Sequence, residues 1–163
     1  WSSDVCSSDL DGLPSLTALH AAKVAQANKL YECTQSLCRL CIEEGIPFSI
    51  ENPARSFMWQ TCHMAKFLQD HDLFHTRFHH CMYGSARRKH TLLVHNISAI
   101  CDMECLCDNS HAHEPWGQSE HGWATAEETA YPWPLCRKIA TLVALHIQSL
   151  GVTCPTPSFA KYA

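Results

Sequence analysis

The acid-amide pair Glu51-Asn52 is the first group in this sequence with a clear chemical use. It follows a short apolar run at residues 47–50 and is closed by Pro53. Proline lacks the N–H that a strand ladder needs, so we expect the strand to end here. Open α/β sheets place their ligands at the carboxyl ends of strands. The pattern predicts that Glu51 is an acid facing a base or a polar substrate and that Asn52 orients the loop. The alternative is a strand-terminating turn in which Glu51 is simply solvated.

The densest set of metal-binding side chains lies in residues 95–123, which have no apolar periodicity. Thiolate and imidazole are the ligands of structural Zn²⁺ sites, where four of them form a tetrahedron. The spacing differs from the paired Cys-x2-Cys of common zinc fingers, and ligands one residue apart need a tight turn to share an ion. We predict a structural zinc site, against the alternative of reduced cysteines beside exposed histidines. Five candidate ligands lie in this segment, and a sixth, at the end of a neighbouring strand, could replace one of them; they are Cys101, Cys105, Cys107, His111 and His113, with Cys81 as the sixth.

A short basic run follows the dipeptide Tyr83-Gly84 and consists of Arg87, Arg88 and Lys89. Basic side chains in a turn can hold DNA phosphates, which positions a protein without reading the base sequence. Arg55 is a further candidate for the same role. The alternative is a solvated basic turn. The net charge of −4 gives no electrostatic reason for the chain as a whole to bind nucleic acid.

Composition favours one domain with a packed core, since 46% of the 163 residues are hydrophobic and 17% are charged. Nothing indicates secretion, so we expect the cysteines to be reduced, as in a nuclear or cytoplasmic protein. No run of 18 or more apolar residues occurs, which excludes a membrane span on sequence grounds. The sequence leaves the oligomeric state open.

The elements alternate in an α-then-β order, which predicts the α/β class with part of a doubly wound sheet. A long helix is expected from an N-cap at Ser15 to Gly45, and the strand at residues 47–50 follows. A second helix is expected from Ser56 to about residue 69. Strands at 74–78 and 91–94 should form an antiparallel hairpin. A capping-box pattern at 125–128 and a last helix that begins near Pro134 complete the order.

The two ends of the chain are expected to lie outside the domain. Residues 4–10 are similar to the translation of a sequencing-adapter oligonucleotide. We therefore expect residues 1–10 to be an artefact and the upstream part of the reading frame to be missing. The domain should cover residues 11–151, and residues 152–163 should be a flexible tail.

The order of these pieces resembles the second half of a cytosine-5 DNA methyltransferase catalytic domain. That family carries Glu-Asn-Val at a strand end, followed by a helix, a strand and a tyrosine-glycine turn with basic residues. Methyltransferase-like domains of mobile elements in algae, dinoflagellates and some animals are more similar still. The match spans roughly residues 13–150, and its motifs here are Glu51-Asn52-Pro53, Cys81-Met82-Tyr83-Gly84, Arg87-Arg88-Lys89, Cys107 with His111-Ala112-His113, and the ending from Thr125 to Cys136.

The resemblance implies a Rossmann-like sheet, a DNA partner, a Glu51 that holds the target cytosine, and S-adenosylmethionine as the cofactor of the full-length protein. The sequence departs from the family in having no Pro-Cys dipeptide to supply the nucleophile and no Gly-x-Gly turn to hold the cofactor. We therefore expect the fragment to be inactive alone. The alternative is a zinc-stabilised, non-enzymatic nucleic-acid-interaction module of mobile-element origin in which Glu51 is structural.

Overall fold

A computed structural model describes residues 16–119 and 122–152. Within this part, residues 16–48 and 55–73 form one compact unit, and residues 49–54 and those from 74 onward form another. The predicted adapter segment, the predicted N-cap at Ser15 and all but the first residue of the predicted tail lie outside the described residues. The first unit is helical, and the second contains the sheet.

The helical unit begins with α1, Ala18–Glu43. Its N-cap is Thr17, whose hydroxyl accepts a hydrogen bond from the backbone N–H of His20 at 3.4 Å, so the helix starts later than the sequence predicted. The helix ends as predicted near Gly45, which has a positive φ of 64° and donates its N–H to the carbonyl of Ile42.

The predicted second helix is divided into a 3₁₀ turn, Phe57–Gln60, and α2, Cys62–Asp70. Ser56 caps the first piece, as expected, by accepting the N–H of Met58. The division falls at Thr61, which has extended dihedrals and whose hydroxyl donates to the Met58 carbonyl at 2.8 Å. Helix α2 contributes the fully buried side chains Met64 and Phe67.

The second unit is built on a three-stranded antiparallel sheet with the order β1-β3-β2. Its strands are β1, Ser49–Pro53; β2, Phe74–His79; and β3, His90–His95. The predicted antiparallel pairing of β2 with β3 is confirmed. Strand β3 also pairs antiparallel with β1, so β1 and β2 run parallel to each other on either side of it. The protein is therefore of the mixed α/β type.

The register places Glu51 inside a strand, which corrects the prediction that the strand ends before it. Glu51 lies opposite Leu93, which in turn lies opposite Thr76 on β2. Pro53 is the last residue of β1, because it can occupy the end of an edge strand without donating a ladder hydrogen bond. Neighbouring residues of a strand face opposite sides of the sheet, so Asn52 points away from the side that Glu51 faces.

The core of this unit lies on the side of the sheet that carries Phe78 and Leu93. A 3₁₀ segment, Ser98–Met103, and the last helix pack against this side, so that Ile100 and Met103 are fully buried. Short strands β4, Gln118–Ser119, and β5, Gly122–Trp123, precede helix α3, Ala124–Glu127. The predicted capping box is wrong, because α3 begins after Trp123 without a side-chain cap.

The last helix, α4, spans Trp133–Ser149 with a proline in its first turn, as the sequence predicted. Its buried residues Leu135 and Leu142 complete the core. Among residues 16–119 and 122–152, no helix combines the length and the apolar character needed to span a bilayer.

Candidate metal centre and adjoining cleft

A cluster of thiols and imidazoles has the geometry of a four-ligand metal site. One potential ligand atom from each side chain lies within 4.8 Å of all the others, and the four residues are Cys81, Cys107, His111 and His113. The Cys107 Sγ atom lies 3.5 Å from His113 Nε2 and 3.8 Å from His111 Nε2. Sulfur and nitrogen ligands of one tetrahedral Zn²⁺ are separated by about 3.5 Å, as follows from metal–ligand distances of about 2.3 and 2.0 Å. The four groups are close enough to hold one metal ion.

The loop after Cys107 forms the tight turn that this ligand spacing requires. Asn109 adopts a left-handed conformation with φ 65°, which reverses the chain after the thiol, and its backbone N–H donates to Cys107 Sγ at 3.3 Å. The ring centroids of His111 and His113 then lie 4.6 Å apart, although one residue separates them in the sequence. Cys81 comes from the 3₁₀ turn His80–Tyr83, directly after β2.

Burial favours the neutral forms of both the thiol and the imidazole in this cluster. Burial raises the pKa of the Cys81 thiol to about 11, and its hydrogen bond with Cys107 adds to the shift. Desolvation lowers the pKa of His113, and the neighbouring His111 adds to that shift. A neutral imidazole is the form that ligates, while the thiols would lose their protons when the metal binds.

Cys101 and Cys105 were predicted as ligands, but neither belongs to this cluster. Cys101 is exposed in the 3₁₀ segment, because Ile100 and Met103 occupy the inward positions. The Cys105 backbone extends the sheet: its N–H donates to the carbonyl of Arg77, and its carbonyl accepts the N–H of His79.

Glu51 is held by a tyrosine that the sequence analysis did not assign to the site. The Tyr131 hydroxyl donates to Glu51 Oε2 at 2.5 Å, and Lys89 Nζ lies 3.7 Å from Oε1. The Lys89 ammonium also lies 5.2 Å from the centre of the Tyr131 ring. Burial, followed by the hydrogen bond to Glu51, raises the pKa of Tyr131. The contact between Tyr131 and Glu51 joins residues 80 positions apart, which no local pattern in the sequence could reveal.

His80 lies against this group and is kept neutral. Its ring stacks on Phe78 with centroids 5.5 Å apart and meets the Tyr131 ring edge-on at the same distance. Neither ring nitrogen has a hydrogen-bond partner among the described residues. Burial, assisted by the positive charge of Lys89, lowers the pKa of His80 to about 4.

Arg87, predicted to contact DNA phosphates, instead has its guanidinium buried within the protein. Its Nη2 lies 2.9 Å from Glu114 Oε2, and its Nη1 lies 3.6 Å from Glu128 Oε1. Its Nε donates to the carbonyl of Pro115 at 3.1 Å. Glu128 also accepts from the Ser85 hydroxyl. Arg87 therefore fastens the basic turn to the loop that follows the metal ligands.

The other two basic residues of the turn line an open cleft of about 430 Å³. Arg88 is exposed, and its Nη1 donates to the side-chain carbonyl of Asn109. Trp116, which is 48% exposed, supplies an aromatic wall. The lining is Pro53, Arg88, Lys89, His90, Trp116, Thr125 and Glu128. Sequence reasoning identified Arg88 and Lys89 among these residues but did not identify His90.

The remaining predicted residue, Arg55, belongs to the helical unit and is exposed there.

No protein-family model, curated protein or solved structure matches the chain.

Proposed function

We propose that this chain is part of a cytosine-5 DNA methyltransferase-like domain and that its sheet unit binds DNA through the cleft beside Glu51. The observation that carries the proposal is the position of Lys89. Its side chain lines the cleft, while its ammonium lies 3.7 Å from the Glu51 carboxylate. The acid expected to hold a base and the cations expected to hold phosphates therefore meet at one residue.

The chemistry of the cleft favours a nucleotide as its ligand. The side chains of Arg88 and Lys89 can donate charge-assisted hydrogen bonds to phosphate oxygens. The exposed face of Trp116 offers a surface on which a base can stack, and such stacking tolerates any base. A target base must leave the helical stack before an enzyme can act on it, so single-stranded DNA is the simplest ligand for this cleft.

The order of the strands in the sheet also supports a methyltransferase-like domain. Strands β1 and β2 are parallel, are connected through a helical segment, and are separated by the antiparallel strand β3. Doubly wound sheets often carry an antiparallel strand near one edge. We infer that β1, β3 and β2 are the end of such a Rossmann-like sheet.

Glu51 has one carboxylate oxygen, Oε1, that is buried and accepts no hydrogen bond from the described residues. Tyr131 occupies Oε2, whereas Oε1 accepts no hydrogen bond within the described part of the protein. A carboxylate oxygen can accept the N4 amino proton of cytosine, and a protonated carboxyl can donate to N3. We assign Oε1 to this contact, with Lys89 balancing the charge; because Oε1 is buried, the side chains that cover it must move aside when a base binds.

We propose Zn²⁺ as the ion of the four-residue cluster and assign it a structural role. Two thiolates and two imidazoles form a closed tetrahedral set, which leaves no position for a reacting water. The chain has neither a Gly-x-Gly turn, which would hold S-adenosylmethionine, nor a Pro-Cys dipeptide, which would supply the nucleophile. We therefore assign no residue to the cofactor or the nucleophile, and we expect this segment to bind DNA without methylating it.

A zinc-stabilised module that only binds nucleic acid is the second candidate, favoured by the metal cluster itself. Base preference separates the two. Under the first proposal, the protein should bind a cytosine-containing oligonucleotide more tightly than its thymine counterpart, and Glu51→Gln should abolish that preference. A module in which Glu51 is structural should show no preference in either form.

Salt-dependent DNA binding tests the proposal. The dissociation constant of a labelled 12-nucleotide single-stranded DNA should be measured by fluorescence anisotropy between 50 and 200 mM salt, as a range over which phosphate contacts lose much affinity. Arg88→Ala should weaken binding and reduce the slope of log K against log salt by about 0.7, because one phosphate contact is lost.

Arg137 provides the matched control, since it is an exposed arginine of α4 that does not line the cleft. Arg137→Ala should leave the salt slope within error of the unmutated protein. Equal slopes for both variants would remove the cleft as the DNA site, and absence of binding at low salt would refute the proposal as a whole.

A further inference from the structure

We propose that the metal centre organises the cleft, so that occupancy of the Cys81, Cys107, His111 and His113 site sets the affinity for a phosphodiester backbone. The identity of the ligand rests on the proposed function, whereas the coupling between metal and cleft rests on contacts within the sheet unit. Three separate connections run from the metal ligands to residues that line the cleft.

The first connection passes through Asn109. Its backbone N–H donates to Cys107 Sγ at 3.3 Å, and its side-chain carbonyl accepts from Arg88 Nη1. The exposed Arg88 guanidinium is thus anchored to the residue that closes the turn around a metal-binding thiol. A metal ion that fixes Cys107 would also fix this turn, and with it the orientation in which Arg88 meets a phosphate.

The second connection passes through a pair of histidine rings. The Cys107 backbone N–H donates to His79 Nδ1 at 2.8 Å. The His79 ring meets the His90 ring edge-on, with centroids 4.7 Å apart, and His90 lines the cleft. Movement of Cys107 would therefore be transmitted through the buried His79 imidazole to His90, which lines the cleft.

The third connection fastens the chain just beyond the last ligand. The N–H of Glu114, next to His113, donates to the carbonyl of Ala86 at 3.0 Å. Arg87 holds the Glu114 carboxylate and the Pro115 carbonyl. Trp116 follows immediately, so the aromatic wall of the cleft is placed by the same segment that supplies the ligands.

Apolar packing does not hold this segment in place. From residue 104 to residue 118, Cys107 is the one buried residue that the structure describes, and regular secondary structure is confined to a single bridge at Cys105 and the start of β4. Segments with so little buried surface open easily unless another constraint is present. Besides the Arg87 contacts with Glu114 and Pro115, metal–ligand bonds are a constraint that this set of side chains can provide.

The test compares zinc-loaded with chelator-treated, reduced protein at fixed ionic strength. Removal of zinc should weaken binding of the 12-nucleotide DNA by about tenfold, a common size for coupling between two sites. It should also speed amide hydrogen exchange at residues 86–90 and at Trp116, relative to the β3 amides of residues 92–94. Unchanged exchange in the zinc-free protein, with the sheet still protected, would overturn the coupling.

Asn109→Gly provides the variant that keeps every metal ligand. Glycine accepts the positive φ at this position but removes the carbonyl that holds Arg88. We expect full zinc content and DNA affinity lower by several-fold, whereas Ser110→Ala, an exposed neighbour, should bind as the unmutated protein does.

Unchanged affinity in Asn109→Gly would refute the coupling even if the zinc-free protein unfolds. Failure of the zinc-loaded protein to bind DNA at all would instead refute the proposed function, and the exchange measurement would still test the coupling.

Discussion

Cys107 makes several of the contacts that hold the candidate site together, and no pattern in the sequence indicates them. Its thiol lies near two imidazoles and accepts the N–H of Asn109, while its own N–H donates to His79. The sequence was sufficient to single out the Cys/His-rich loop, because thiols and imidazoles are concentrated there. It was not sufficient to choose the four ligands, since the choice depends on which side chains the core draws inward.

Cys101 and Cys105, the two predicted ligands that lie outside the cluster, show why spacing in the sequence cannot select the ligands. Cys101 precedes Asp102 and Met103 in a 3₁₀ turn whose apolar residues face the core, so its thiol is turned outward. Cys105 is held by backbone pairing with β2. Cys81, far away in sequence, reaches the cluster because β2 ends beside the loop.

Metal content tests this choice of ligands residue by residue. Unmutated protein should bind about one equivalent of Zn²⁺, and His111→Ala and His113→Ala should each retain less than about half, because three remaining ligands hold the ion less tightly. Cys101→Ser is the control and should keep the full equivalent. Zinc loss in Cys101→Ser together with full zinc in His113→Ala would contradict the cluster.

At the scale of elements, the periodicity of the apolar residues and the positions of glycine and proline predicted most of the helices and strands. The hairpin of β2 and β3, the end of α1 at Gly45 and the proline in the first turn of α4 were all anticipated. The position of β1 beside β3 was not, because strand order depends on long-range pairing. The division of the second helix at Thr61 depends on a hydroxyl-to-carbonyl bond that propensity does not encode.

The basic turn shows the same limit within one element. Three consecutive cations look alike in the sequence, yet Arg87 is directed inward to Glu114 and Glu128, while its neighbour Arg88 is exposed. The direction is set by the carboxylates that the loop and α3 bring close. Those carboxylates lie 27 and 41 positions away in sequence, as the residue numbers show.

Urea unfolding at fixed zinc concentration tests the structural role of Arg87. Arg87→Ala should lower the free energy of unfolding by about 3 kcal/mol, because the largely buried Glu128 carboxylate would lose its guanidinium partner. Arg88→Ala, one residue along and exposed, should change it by less than about 0.5 kcal/mol. A similar small loss in both variants would show that the Arg87 network does not stabilise the turn.

At the scale of the whole molecule, an acid, a set of cations and a cluster of metal-binding side chains lie within one sheet-containing unit. The sequence resemblance pointed to Glu51 and the basic turn, and the structure shows that Lys89 links Glu51 with the cleft and that Asn109 links the metal ligands with Arg88. Only the fold shows that Tyr131 belongs to this group, because its partner Glu51 lies far away in the sequence, on the first strand of the sheet.

Mapping a bound oligonucleotide by NMR is the most direct test that this cleft binds DNA. Zinc-loaded, ¹⁵N-labelled protein should be titrated with the 12-nucleotide single-stranded DNA. The largest shift changes should appear at the Trp116 indole N–H and at the backbone amides of Arg88, Lys89 and His90, saturating with one dissociation constant. Saturable binding that leaves all four signals unchanged would contradict the account.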